Sequence, residues 1–173
     1  KIELACLNPQ GLVEAPSPSG LTNPRIHDLE GKKIGIFWDG KLGGDNFCIA
    51  LEDLFKKSYP TVSVMRAAWG DKRAIARARD EVDAFIYAVG DAGMGGWFGS
   101  LNVADLERSG KPGVFVLCDN AIHTARMAAE SVGMPALRIV SLPSIEYFPN
   151  RFSVEGVKPL AKKYFAMIID ALT

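Results

Sequence analysis

Short β-branched runs and amphipathic helical stretches take turns along most of this chain, and that alternation leaves few folds open. Lys33-Ile34-Gly35-Ile36-Phe37-Trp38 has the length and character of a strand, with Asp39-Gly40 as a turn at its carboxyl end. Phe47, Ala50, Leu51, Leu54 and Phe55 then fall at i, i+3, i+4, i+7 and i+8. That spacing predicts an amphipathic helix, favoured at its amino end by Asp45 and stopped before Pro60. Strand character returns over Thr61–Met65 and Ala84–Val89, with a helix over Lys72–Glu81 between them. A glycine-rich loop over Gly90–Gly96 leads into a helix at Phe98–Arg108, which Gly110-Lys111-Pro112 ends before a strand at Gly113–Cys118. A helix over Ala121–Val132 and a short strand over Leu137–Leu142 follow. The last helix carries the stripe Val157, Leu160, Ala161, Tyr164, Ile168 and Leu172, with Pro159 expected in its first turn.

Strands joined through helices of this length predict right-handed crossovers and a parallel sheet covered on both faces. The expected architecture is therefore a three-layer flavodoxin-like or Rossmann-like α/β sandwich with a mainly parallel five-stranded sheet. Ile2–Leu7 is apolar enough for a short strand, but Asn8-Pro9 ends it, and the stretch to Asn23-Pro24 is rich in Pro, Ser and Gly. Residues 1–30 thus read as an extended N-terminal arm and residues 31–173 as a single α/β domain. With 48% hydrophobic and 23% charged residues, the domain has the means to build a full core.

Lys plus Arg and Asp plus Glu number 20 each, which removes the broad positive field that nucleic-acid binding needs. Apolar runs such as Val114–Cys118 and Phe165–Ile169 fall far short of the roughly 20 residues that cross a bilayer. Cys6, Cys48 and Cys118 are odd in number and widely spaced, which argues against a disulfide framework and for a reducing, cytoplasmic location. The sequence starts at Lys1, and no stretch reads as a signal peptide. The two histidines, His27 and His123, lie apart without metal-ligand spacing, so no metal is expected. No cofactor is predicted either; a flavin- or nucleotide-binding module shares the architecture, but fold alone is weak warrant for that function.

In open parallel sheets ligands bind beyond the carboxyl ends of the strands, which directs attention to Asp39–Asn46, Gly90–Trp97, Cys118–His123 and Pro143–Tyr147. These segments are expected to meet. Gly90, Gly93, Gly95 and Gly96 lack a Cβ, so their backbone amides can approach an anion or a developing oxyanion; the competing reading is a turn that needs positive φ. Lys41 is placed to neutralise an anionic substrate, with Asp39 and Asp91 holding it or handling protons. Against this stands a solvated lysine beside two turn-forming aspartates. Cys118, followed by Asp119 and Asn120 at a helix start, is a candidate nucleophile with His123 as its base, although a buried inert thiol is the favoured reading. Trp97 with Trp38 and Phe98 is expected either to wall a pocket or to join the core, and Ser144 to contribute from the last loop.

Several landmarks resemble one family. Leu7-Asn8-Pro9-Gln10-Gly11 looks like the amino-terminal Asn-Pro-x-Gly segment of the UGSC-motif family, a group of cysteine- or selenocysteine-containing proteins. Leu29–Gly35 is similar to that family's lead into the first strand, Asp39-Gly40-Lys41 to its Asn-Gly-Lys, and Val89-Gly90-Asp91 to the approach to the namesake motif. Leu106–Pro112 and Val132-Gly133-Met134-Pro135 match its later segments. At the motif the chain departs: Ala92 and Gly95 stand where the resemblance implies chalcogen residues, and Pro143-Ser144-Ile145 stands for a Pro-His-Pro segment. Neither Ala nor Gly forms a thiolate, so thiol or selenol chemistry at the motif does not carry over.

The expectation from these observations is a small-molecule enzyme, or one subunit of a hetero-oligomeric enzyme, binding an anionic or carbonyl-bearing substrate at the carboxyl edge of the sheet. Asp91 is the expected acid or base, Lys41 and the glycine amides stabilise charge, Asp39 and Asp119 give support, and Cys118 is a displaced nucleophile. The rival is a non-catalytic partner that completes or regulates a thiol-bearing UGSC-motif subunit. Either way the chain is expected to form a homo- or hetero-oligomer with a related subunit.

Overall fold

A computed structural model describes residues 22–173, and its strands are β1 (Lys33–Trp38), β2 (Ser63–Ala68), β3 (Ala84–Gly90), β4 (Gly113–Cys118) and β5 (Ile139–Leu142). They form one sheet, all parallel, in the order β2-β1-β3-β4-β5, as the alternation of strands and helices predicts. Side chains along each strand divide between two cores with the strand period of two. Ile34, Ile86, Val114 and Val116 face one side, where they meet α1 (Gly44–Ser58) and α6 (Val154–Leu172) through Phe47, Leu51, Phe55, Val157 and Ile168. Phe37, Phe85, Tyr87, Phe115 and Leu117 face the other. There they meet α2 (Lys72–Glu81), α3 (Gly93–Arg108) and α4 (Ile122–Ser131) through Ile75, Val103, Leu106 and Ala125. A sheet covered on both faces explains why β3 and β4 are buried along their whole length and read as continuous apolar runs.

Local differences from the sequence reading have physical causes. Strand β2 runs over Ser63–Ala68 because its ladder pairs Lys33 with Ser63 and Trp38 with Ala68, matching β1 residue for residue. The glycine-rich segment is mostly helical: α3 starts at Gly93, and positive φ falls at Gly31, Gly40, Gly43, Gly110 and Gly133, at none of the motif glycines. Close packing accounts for two of the latter, since a Cβ on Gly96 would lie 2.7 Å from the Ala121 carbonyl oxygen and one on Gly90 2.7 Å from the Phe115 ring. Pro143–Tyr147, expected as a loop, opens a short helix, α5 (Ser144–Asn150). Its first amide donates to the Asp119 carboxylate at 3.1 Å, a cap supplied from a distant segment that local propensity does not register. Pro159 sits in the second turn of α6, not the first, because Ser153 caps that helix earlier by accepting from the Gly156 amide at 3.1 Å.

The strand expected over Ile2–Leu7, Cys6 and most of the arm lie outside the described residues. From Thr22 to Leu29 the chain has neither helix nor strand, and it is tied to the amino end of the sheet. Asn23 donates through its backbone and side-chain nitrogens to the buried Glu107 carboxylate at 2.8 Å, and Glu107 also accepts from the Gly113 amide at 2.9 Å. Burial pushes the Glu107 carboxyl up against the pull of these bonds. Ile26 donates to the Leu172 carbonyl at 3.1 Å, which fixes the end of α6 to the same region. Among the described residues no helix is long and apolar enough to cross a membrane.

Candidate functional site

At the carboxyl end of β1 the Asp39 carboxylate accepts the Lys41 amide at 3.0 Å, folding the turn back so that the Lys41 side chain reaches across to the end of β3. There its ammonium lies 2.6 Å from Asp91 Oδ1 and 3.2 Å from Asp39 Oδ2. Asp91 follows β3 directly and is 7% exposed. Its second oxygen accepts from Arg151 at 2.7 Å. Two carboxylates and two cations therefore form one balanced cluster, drawn from β1, β3 and the segment between α5 and α6. Burial pulls the Lys41 ammonium down, but the hydrogen bond to Asp91 and the fields of Asp39 and Asp91 outweigh it and hold it above the usual lysine value. Lys41 is a fixed positive charge.

Close approaches keep the cluster assembled. A Cβ on Gly95 would lie 3.0 Å from Lys41 Nζ, so the glycine leaves room for the ammonium beside Asp91. Arg151 is held at its backbone, whose carbonyl accepts from Asn46 Nδ2 at 2.9 Å and lies where a Cβ on Gly43, itself at φ 88°, would stand at 2.6 Å. Its guanidinium sits over the rings of Phe148 and Phe152, each centroid 5.2 Å away.

Beside the cluster opens a cavity of about 390 Å³. It is lined by Asp39 and Lys41, by Trp69 and Tyr87, and by Met94, Phe98 and Asn102 of α3. It lies outside the ends of β1 and β3, where the order β2-β1-β3 reverses direction, the place at which such sheets bind ligands. The Tyr87 hydroxyl accepts from Asn102 Nδ2 at 3.0 Å, and the Tyr87 ring meets Trp69 edge-on at 5.5 Å. The amino end of α3 carries no side-chain cap, and Gly95 of its first turn lies in the cavity wall.

The four segments expected to meet do come together. Lys41, Asp39 and Asp91 are in contact, Asn120 donates to the Asp91 carbonyl at 3.3 Å, and Asp119 binds the Ser144 amide. The candidates do not share one surface, however. Gly90, Gly93, Gly96, Trp97, Asp119, Asn120 and Ser144 are not part of the cavity wall, and of the neighbouring aromatics it is Phe98 that lines it. The Gly96 amide is already engaged, donating to the Ala92 carbonyl at 2.8 Å. Cys118 is fully buried, which pushes its thiol up to about 12, whereas His123 is exposed on α4 and no hydrogen bond joins the two. The imidazole expected to serve Cys118 as a base is not in place. Cys48 is likewise buried with its thiol pushed up.

Sequence reasoning missed Arg151, Tyr87, Trp69 and Asn102. Arg151 follows Pro149-Asn150 with no motif around it, and Tyr87 is embedded in an apolar strand where a core role is the natural reading. Among the described residues no group of three or more His, Cys, Asp or Glu side chains is placed to hold a metal.

In comparison with known proteins, the family model described as the UGSC family matches residues 5–173. No curated protein matches the chain.

Proposed function

Given that the chain belongs to the UGSC family, with Lys41 and Asp91 joined at the sheet's switch point, we propose that it is a small-molecule enzyme or a subunit of one, binding an anionic or carbonyl-bearing substrate in the cavity beside Lys41. The observation that carries this reading is an ammonium fixed in a cavity wall by Asp91 and Asp39, at 2.6 and 3.2 Å. A charge held in advance of substrate costs no reorganisation when negative charge gathers on a substrate oxygen. Asp91, with both oxygens engaged by cations, acts as a positioning residue for Lys41. Asp39 lines the cavity and, with its Oδ2 3.2 Å from the Lys41 ammonium, shares with Asp91 in holding that charge in place.

The test is thermal unfolding of the purified chain with pyruvate, acetate, acetaldehyde and inorganic phosphate as probes. At least one should raise Tm saturably, by roughly 5–10 °C near a hundredfold excess over its Kd, and Lys41→Met should abolish the rise. No rise with any probe, or a rise that survives Lys41→Met, overturns the reading.

One observation favours a second reading, that of a non-catalytic partner to a thiol-bearing family member. Of seven exposed large hydrophobic residues among those described, five (Leu42, Met94, Phe98, Ile145 and Phe152) lie on the segments around this rim. Apolar residues gathered at one edge mark an interaction surface. Ala92 and Gly95, in place of the chalcogen residues the resemblance implies, fit the same reading. Stable co-purification with a thiol-bearing relative, with turnover only in the complex, would support it; turnover by the isolated chain would exclude it.

A further inference from the structure

Tyr87 is 1% exposed, yet it belongs to the cavity wall together with Asn102, the residue that donates to its hydroxyl. Its oxygen accepts from Asn102, and among the described residues nothing accepts the phenolic proton in return. Burial pushes the Tyr87 phenol up, so this proton stays on the oxygen at any working pH. With its oxygen already accepting from Asn102, the hydroxyl has a proton to give, and a ligand oxygen in the cavity would take it. The ring is locked by edge contacts at 5.5 Å to Trp69 and 5.6 Å to Phe115, so the hydroxyl does not swing away.

The remaining walls sort by chemistry. Lys41 supplies positive charge, the uncapped amino end of α3 adds its dipole, and Asp39 on the same wall is neutralised by Lys41 at 3.2 Å. Trp69 and Phe98 offer ring surfaces, and Phe98, 52% exposed, stands where a bound ring would cover it. About 390 Å³ lies near the lower end of the roughly 300–1,000 Å³ usual for ligand cavities, which suits one ring and a short acid.

Resting on the reading that this cavity binds an anionic or carbonyl-bearing molecule, we propose that its occupant is a compact aryl carboxylic acid, with the carboxylate taken by Lys41 and the Tyr87 hydroxyl and the ring held against Trp69 and Phe98. The carboxylate accepts the two donors that the cavity leaves open, and the ring removes from water the apolar surface that the cavity leaves wet.

Calorimetric titration with phenylacetate, acetate and pyruvate tests this. Phenylacetate should bind at least about tenfold more tightly than acetate through burial of its ring. Tyr87→Phe, which keeps the ring contacts, and Lys41→Met should each weaken phenylacetate about tenfold or more. Phe98→Ala, at an exposed position that does not support the fold, should narrow the gap between phenylacetate and acetate. Acetate or pyruvate binding as tightly as phenylacetate, in a Lys41-dependent way, overturns the aryl assignment and leaves the broader reading standing. Unchanged affinity in Tyr87→Phe removes the hydroxyl from the assignment. Failure of all three probes to bind overturns the aryl assignment, and the broader reading falls with it when inorganic phosphate and acetaldehyde also leave Tm unchanged.

Discussion

Replacing Asp91 with asparagine keeps the side chain's shape and removes the charge that Lys41 and Arg151 share, so its cost follows from how each cation sits. The Arg151 side chain is 25% exposed and the Lys41 side chain 44%, against 11% for Asp91. A hydrogen bond to a charged group in a partly buried setting contributes about 1.5–3 kcal/mol, which applies to Arg151. Lys41 is open enough for water and salt to screen it, and Asp39 remains beside it, so its bond to Asp91 is discounted to about 0.5–1 kcal/mol. Asp91→Asn should then destabilise the fold by about 2–4 kcal/mol, or about 4–16 °C in Tm for a chain of this size. Urea unfolding of Asp91→Asn, Arg151→Met, Lys41→Met and the two double variants separates the pairs. The Asp91–Arg151 coupling should exceed the Asp91–Lys41 coupling by at least about 0.5 kcal/mol. Equal couplings, a reversed order, or both below about 0.5 kcal/mol would show that exposure does not rank these contacts and that Asp91 does not hold the cluster.

Two further outcomes follow from the packing. A Cβ on Gly113 would lie 2.1 Å from the Phe85 ring, at the buried start of β4, so Gly113→Ala should cost about 2–3 kcal/mol or more in denaturant unfolding; a loss below about 0.5 kcal/mol would mean the ring shifts freely. Cys48 and Cys118, both buried with their thiols pushed up, should resist iodoacetamide in the native protein at pH 8 and react on unfolding, as mapped by mass spectrometry. Rapid native alkylation of Cys118 would restore it as a nucleophile.

The fold was legible because its signals are local and repeated. Ile34-Gly35-Ile36-Phe37 and Val114-Phe115-Val116-Leu117 declare buried strands, and the Phe47 to Phe55 spacing declares a helix, each without reference to the rest of the chain. The rule that places ligands at strand ends puts Lys41, Asp39 and Asp91 in one neighbourhood from the sequence alone. What stayed hidden depends on tertiary packing. Helix α3 starts among glycines because Ala121 and Phe115 press on it, and α5 forms where a distant carboxylate takes its first amide. Arg151 reaches Asp91 across 60 residues of sequence, and Tyr87 looks like any core aromatic until it is seen in a cavity wall.

The docking of Arg151 also bears on the order in which the site becomes complete. Its carbonyl is gripped from the α1 side by Asn46, 105 residues earlier, while its guanidinium answers a carboxylate at the end of β3. Lys41 and Asp91 are able to meet once β1 and β3 are paired, but until the segment after β5 has closed over them the cluster carries one negative charge in excess. Any fluctuation that lifts this late segment would therefore turn the balanced rim net negative, and recruitment of an anion would be disfavoured until the segment settles again.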